Sequence, residues 1–480
     1  MEGITRVKQY LEFVRNETVS VEEYTARAID ESRKINSEYN YFNVITEQSA
    51  LEQAREIDRK IKANKKVGKL AGLLVSVKDC ICVKGVESRA GSKILDNYKP
   101  LFDATVVARL KKEDAIIIGK TSQDEFGFGS FNANVGVDFK IPLNPFDKER
   151  VTGGSSGGSS GMTQKASFAH VSLGESTGGS IVAPAAFCSV YGLCPTYGRV
   201  SRYGMMDYGS SLDKIGPITK DLYENALVME VISGHDTNES TTLNVPNEEH
   251  SKYLENGNRK IRDMKVGVVK EAFGEGVSED VRNMVWENIT ELQNQGVEIE
   301  EVSLPLTMKY SVPTYYLLAV SEASTNLAMY CGMRYGKNEK LEGNFNEYFS
   351  EVRSKNFGAE AKRRIILGTF ARMSGYRDAY YIRAAKVRTL IINEYKRLFK
   401  RFDALVTPTM PILPPKFSEI EKLTPLQNYM MDIMTVGPNL AGMPHLNVPA
   451  GFENGLPVGM LLVGDHLQEG KLLRLANGVY

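Results

Sequence analysis

Phe168–Tyr191 reads FAHVSLGESTGGSIVAPAAFCSVY. The apolar run around Phe168–Leu173 predicts a buried strand. A Gly/Ser junction follows, and Ile181–Tyr191 is apolar and helix-like. Strand, glycine turn and helix in succession are the unit of layered α/β folds. Ser180 stands at the junction, where a serine gains exposure to solvent and substrate. The neighbouring glycines leave backbone N–H groups able to face a developing oxyanion. A helix N-terminus just beyond favours negative charge there. A plainer reading stands beside this one: any serine ahead of a helix can be its N-cap.

Upstream, Gly153–Gly161 reads GGSSGGSSG. Such a string can be a flexible linker. It can also be backbone that approaches a substrate closely and adopts positive φ. Here apolar sequence flanks it with no shift of composition. It is not a phosphate-binding P-loop, because no Gly-Lys-Ser/Thr follows. It matches G-x-S-x-G at Gly153–Gly157 and Gly157–Gly161, but no apolar strand precedes it, so the context of a nucleophile elbow is missing. Further upstream, Leu73–Val77 predicts a short apolar strand that ends at Lys78. A lysine there is either a surface charge or a buried amine. If burial keeps it uncharged, it can take a proton from a serine, which is a poor nucleophile unaided. These pieces are the parts of a Ser-Ser-Lys hydrolase that needs no histidine.

The rest of the chain continues the alternation. Residues 1–70 read as helices, with a helix start at Thr18–Glu23. Thr105–Lys112 predicts a helix and Ala115–Gly119 a buried strand. Lys265–Val269 predicts a strand, Ser278–Gln295 a helix and Val297–Val302 a strand. Helices are expected at 313–332 and 376–402, then a strand at Asp403–Thr407 closed by the Pro-rich stretch 408–415. The expected class is α/β. Residues 235–262 are polar and turn-rich, and read as an insertion or a subdomain join rather than a disordered linker.

The 480 residues carry 59 Lys and Arg against 59 Asp and Glu, so the net charge gives no overall electrostatic footprint for nucleic acid or an anionic membrane. RVKQYLEFVRN near the start is too polar for a signal peptide, and no apolar run reaches membrane-spanning length. Cys80, Cys82, Cys188, Cys194 and Cys331 have neither disulfide-framework nor zinc spacing, and read as buried free thiols suited to a reducing cytoplasm. No pair among His170, His235, His250, His445 and His466 has metal-ligand spacing. His170 reads as a core histidine. His445 and His466 remain as bases for a Ser-His hydrolase.

The region from Gly153 to Pro217 resembles the signature of the amidase signature family, through GGSSGGSS, STGGSIVAPAAFCSVYGLCPTYGRVSRYG and SSLDKIGPITKD. The resemblance extends from VSVKDC to NLAGMPHLNVPAG and LPVGMLLVG. It implies a central mixed β-sheet covered by helices on both faces, with an amidase domain over 71–480. Pro313–Gly336 and Arg363–Leu390 are most similar to the branch that supplies the glutaminase subunit of tRNA-dependent amidotransferases. By that resemblance Lys78 is the base, Ser155 the bridging serine held by a cis peptide bond, and Ser180 the acyl-forming nucleophile. Backbone amides of Thr177, Gly178, Gly179 and Ser180 form the oxyanion hole. Arg364 grips the glutamine α-carboxylate, where a bidentate fork suits the task, and Asp432 pairs with its α-amino group. No metal or cofactor is implied in this subunit. The partners implied are a B subunit, which uses ATP and Mg to amidate Glu-tRNA(Gln) or Asp-tRNA(Asn), and a small C subunit; charged tRNA is reached only through the B subunit. The chain departs from the family at Ser176, where Asp is usual, at Val182, where Arg is usual, and at Cys194, where Lys is usual. Losing both members of an acid–base pair strands no charge, and Glu175 is the nearest acid that can compensate. Two other readings stay open: a stand-alone amidase acting on another small amide, and a scaffold subunit that has lost activity.

Overall fold

Strand β2 (Leu74–Lys78) is buried at every position, as a strand covered on both faces must be. The computed structural model describes residues 5–255, 261–340 and 342–479. Within it, β2 runs parallel to β3 (Ile116–Thr121) on one side and to β4 (His170–Ser176) on the other. Edge strand β1 (Phe42–Ile45) pairs antiparallel with β3. Beyond β4 come β6 (Lys214–Thr219), β5 (Tyr191–Cys194), β10 (His445–Glu453) and β11 (Leu456–Gly464), each antiparallel to its neighbour. Then β9 (Ala404–Pro408), β7 (Lys265–Val269) and β8 (Glu298–Val302) form a second parallel cluster. The result is one mixed sheet of eleven strands, in the order β1-β3-β2-β4-β6-β5-β10-β11-β9-β7-β8. Helices cover both faces, since β3, β4, β6, β9 and β11 are also buried at every position. The main apolar core draws on residues from Val7 to Val479, and a smaller separate cluster gathers Phe131, Val151, Phe187 and Met410.

The helix Thr105–Lys112 and strand β7 coincide with their expected bounds. Ser278 caps the helix Glu279–Asn294, accepting from the Val281 N–H. Other elements differ. The expected helix at 313–332 is Pro305–Asn326, with Pro305 in its first turn and Pro313 carried inside. Proline favours the first turn, so Pro313 marks a helix start by sequence, but Pro305 takes that position. The run Ile181–Tyr191 divides into a short helix, Val182–Phe187, and the first residue of β5. Ser189, at φ 53°, lies between them. The expected helix 376–402 is Arg383–Leu398, preceded by a π-helical turn at Asp378–Ile382. Residues 1–70, expected to be helical, hold the helices Val7–Arg15, Val21–Tyr39 and Glu47–Lys62, and also strand β1. In the polar stretch 235–262, Asp236 accepts from the Ser201 hydroxyl at 2.6 Å and His250 is buried; residues 256–260 lie outside the described residues.

Glu224 couples the first helix to the sheet layer. Its carboxyl accepts the N–H groups of Val7 and Lys220, both at 3.3 Å. Burial raises its pKa to about 8, aided by the charge of Asp221. Its unfolded value is near the ordinary 4.5, so the folded state holds this proton more tightly. The stability it contributes is complete below the unfolded value and is lost as pH rises through the folded one. Glu224→Gln is expected to match the parent near pH 4.5 and to exceed it near pH 8 by on the order of a few kcal/mol. Denaturant titrations at the two pH values check this, and an equal difference at both contradicts it.

Candidate active site

Lys78 is the last residue of β2, so its side chain leaves the sheet at the ends of two neighbouring parallel strands. It is fully buried. Its Nζ donates to Ser155 Oγ at 2.6 Å, to the Glu175 carbonyl at 2.9 Å and to Glu175 Oε2 at 2.8 Å. Glu175 comes from the adjacent strand β4.

The Gly/Ser string is interior structure, not a linker. Gly153 to Gly161 are all buried, and Gly157–Lys165 forms a helix. The Gly154–Ser155 peptide is cis. The Gly154 N–H donates to the Ser130 carbonyl at 2.8 Å. A Cβ at position 154 would lie 2.3 Å from Asp124 Oδ2 and 2.5 Å from the Asn132 nitrogen, so only glycine fits. Asp124 is itself buried and accepts the N–H groups of Asn132 and Asn134 at 3.0 and 2.8 Å. Burial raises its pKa to about 6. These contacts fix the backbone that presents Ser155 to Lys78.

Ser180 closes the turn after β4 and is 7% exposed. Its carbonyl accepts the Ser156 N–H at 3.2 Å, which ties the two serine segments together. Among the described residues the N–H groups of Gly178, Gly179 and Ser180 donate to no protein acceptor. Amides left open in this way can bind an oxyanion. A Cβ at Gly179 would lie 2.4 Å from Thr435 Oγ1, so the turn is packed too closely for a side chain. The helix beyond Ser180 is shorter than expected, at six residues, so its dipole adds less.

Arg364 and Asp432 are both buried. Arg364 Nε donates to Glu360 Oε1 at 2.8 Å, and its Nη1 to the Tyr208 hydroxyl. The guanidinium lies among four aromatic rings, those of Phe128, Tyr316, Tyr208 and Tyr429, at 5.1 to 5.7 Å from their centroids. Tyr316 donates to Asp432 Oδ2 at 2.7 Å and so links the two charges. A cavity of 480 Å³ is lined by Ser130, Glu360, Arg364 and Tyr429 among others, though by neither Ser155 nor Ser180. Ser130 joins it to the serines, through its carbonyl on Gly154.

The aromatic cage, Glu360 and the contact of Glu175 with Lys78 carry no signal in the sequence. Glu175 turns toward the amine instead of standing in for an acid at position 176. Ser176 and Val182 are fully buried, so the missing Asp and Arg leave no exposed gap. The histidine alternative finds no geometry. His445 Nδ1 lies 3.1 Å from the Met443 carbonyl and His466 Nε2 lies 2.9 Å from that of Ala441. Among the described residues neither bonds to Ser155 or Ser180. Burial lowers the pKa of His170 to about 3, so it is a neutral core residue. Four of the five cysteines are buried and all five are free.

Comparison with known proteins agrees with this architecture. Residues 23–473 match the amidase family. The A subunit of glutamyl-tRNA(Gln) amidotransferase from Heliobacterium modesticaldum is 44% identical over 463 residues, which covers 96% of this chain and 93% of that protein. Its counterpart from Carboxydothermus hydrogenoformans is 44% identical over 470 residues, with 98% and 95% coverage. The solved structure of the corresponding protein from Thermotoga maritima is 36% identical, with a TM-score of 0.78 over 95% of this chain and 90% of that one. With its sheet, its buried lysine–serine contact and this extent of similarity, the chain belongs to the amidase signature family.

Proposed function

We propose that this chain is the glutamine-hydrolysing subunit of a tRNA-dependent amidotransferase, working through Lys78, Ser155 and Ser180. The observation that carries the relay is the buried Lys78 amine at 2.6 Å from Ser155 Oγ. The relatives' names support the assembly. Once it has lost a proton, the Lys78 amine takes the Ser155 proton while Ser155 takes that of Ser180. Ser180 Oγ then attacks the side-chain amide carbon of glutamine. The tetrahedral oxyanion is held by the amides of Thr177, Gly178, Gly179 and Ser180. When the C–N bond breaks, the proton returns through Ser155 and ammonia leaves. Water then releases glutamate from the acyl-enzyme by the same relay.

Arg364 holds the α-carboxylate and Asp432 the α-amino group. The tyrosines around them keep both charges away from bulk water, where a charge-assisted bond is stronger. Ammonia passes to a B subunit that hydrolyses ATP with the help of Mg and amidates Glu-tRNA(Gln) or Asp-tRNA(Asn), with a small C subunit completing the assembly in the cytoplasm. Among the described residues no helix is long and apolar enough to cross a membrane.

Arg364→Lys tests the substrate assignment. It keeps the charge and removes the fork. Glutamine hydrolysis is expected to lose on the order of 10²-fold in kcat/KM, mostly through KM. Hydrolysis of a simple alkyl amide should change little. A parent enzyme that prefers aryl or alkyl amides to glutamine contradicts the proposal.

A further inference from the structure

Glu175 is 3% exposed, and its two carboxylate oxygens face different groups. Oε2 accepts from the Lys78 amine at 2.8 Å. Oε1 lies 2.9 Å from Thr177 Oγ1, and the same hydroxyl lies 2.7 Å from Asp213 Oδ1. A hydroxyl carries one proton and can serve only one of the two carboxyl groups. The second contact is a hydrogen bond only if the other carboxyl brings a proton of its own. Asp213 is placed to bring it: the residue is fully buried, and burial together with the Glu175 charge raises its pKa well above the usual carboxyl range. Its Oδ2 alone can accept the N–H groups of Tyr208 and Gly209, at 2.9 and 3.0 Å. From Asp213 inward the order is acid, hydroxyl, carboxylate, amine and the Ser155 hydroxyl, with every step at 2.9 Å or less.

We propose that Glu175 is a positioning residue for the relay: it aims the Lys78 amine at Ser155 and stabilises the ammonium formed when Ser180 gives up its proton. This rests on the relay described under the proposed function. A carboxylate already in place costs no reorganisation as that charge appears. It favours the ammonium in the resting enzyme too. The relay therefore opens at a higher pH than it would without Glu175. The other titratable groups facing Glu175 are the Cys80 and Cys194 thiols, kept neutral by burial, and Asp207 and Asp213, both near Arg202. Asp124 faces Lys78 from the opposite segment.

The test is Glu175→Gln in the full-length chain, with glutamine as substrate and with Glu175→Asp and Ser180→Ala alongside. The rising limb of kcat/KM against pH is expected to move about one unit toward acid. Its plateau should fall about tenfold, with KM little changed. Glu175→Asp should recover part of both. A purely structural role lowers the rate at every pH without moving the limb, and that result overturns the inference. If Ser180→Ala retains hydrolysis, the relay itself is wrong; if it is inactive while the Glu175→Gln limb stays at the parent's pH, only the role of Glu175 falls. A second readout does not depend on turnover. In carbon-13 lysine NMR the Lys78 side chain should titrate at lower pH in Glu175→Gln than in the parent, and coincident midpoints contradict the proposal.

Discussion

Replacing Ser180 by alanine is expected to lower glutamine hydrolysis by on the order of 10⁴-fold or more. The loss is chemical and local. Without the Oγ no acyl-enzyme forms, and what remains is the binding site and the open amides. The fold should survive. Ser180 holds its neighbours through backbone, its carbonyl accepting from Ser156 at 3.2 Å and the Gly179 carbonyl accepting from Ala183 at 2.8 Å. Neither bond involves the hydroxyl. Turnover assays beside a thermal melt check both halves. An alanine variant that melts with the parent and still hydrolyses glutamine at a comparable rate removes Ser180 from the nucleophile's place.

Lys78→Met is the second large effect, and it acts on two quantities at once. Methionine has similar length, so the volume beneath β2 stays filled, but the amine is gone. Hydrolysis should fall on the order of 10³-fold or more, because no other base lies at 2.6 Å from Ser155 among the described residues. Stability should fall as well. Lys78 and Glu175 form a buried pair, 0% and 3% exposed, and deleting one member leaves the other's charge uncompensated. Breaking such a pair costs about 3–5 kcal/mol. The double variant Lys78→Met/Glu175→Gln separates the two consequences. It should regain much of the stability, since the orphaned charge is gone, and none of the activity. If the double variant is no more stable than the single one, the pair is not what holds this part of the core.

Much of this site could be read in the sequence, and what could not has a physical cause. β2, β3 and β7 were legible because strands buried on both faces are continuous apolar runs. β1, four residues between two long helices, carries too little pattern to stand out. The two serines and the lysine declared themselves by residue type and by the glycines around them. The contact between Glu175 and Lys78 did not. It depends on the register of β2 against β4, which sets Val77 opposite Leu173, far along the chain, and no local pattern encodes that register. The cage around Arg364 is of the same kind. Its rings come from Phe128, Tyr208, Tyr316 and Tyr429, four separate segments brought together by the fold. The burial of Arg364 and Asp432 could not be read from the chain, because burial of a charge is decided by its partners. The Gly/Ser string misleads in the other direction. Its composition is that of a linker, yet each glycine sits where a group from elsewhere in the fold or from a neighbouring residue passes close by, as the Asp124 carboxylate does at Gly154.

The central claim is that Lys78, acting through Ser155, arms Ser180. Denaturing mass spectrometry of the chain quenched during glutamine turnover tests it most directly. The account predicts a glutamyl adduct on the peptide carrying Ser180, absent in Ser180→Ala and strongly reduced in Lys78→Met. An adduct on a different residue, or one formed undiminished without the Lys78 amine, would contradict it.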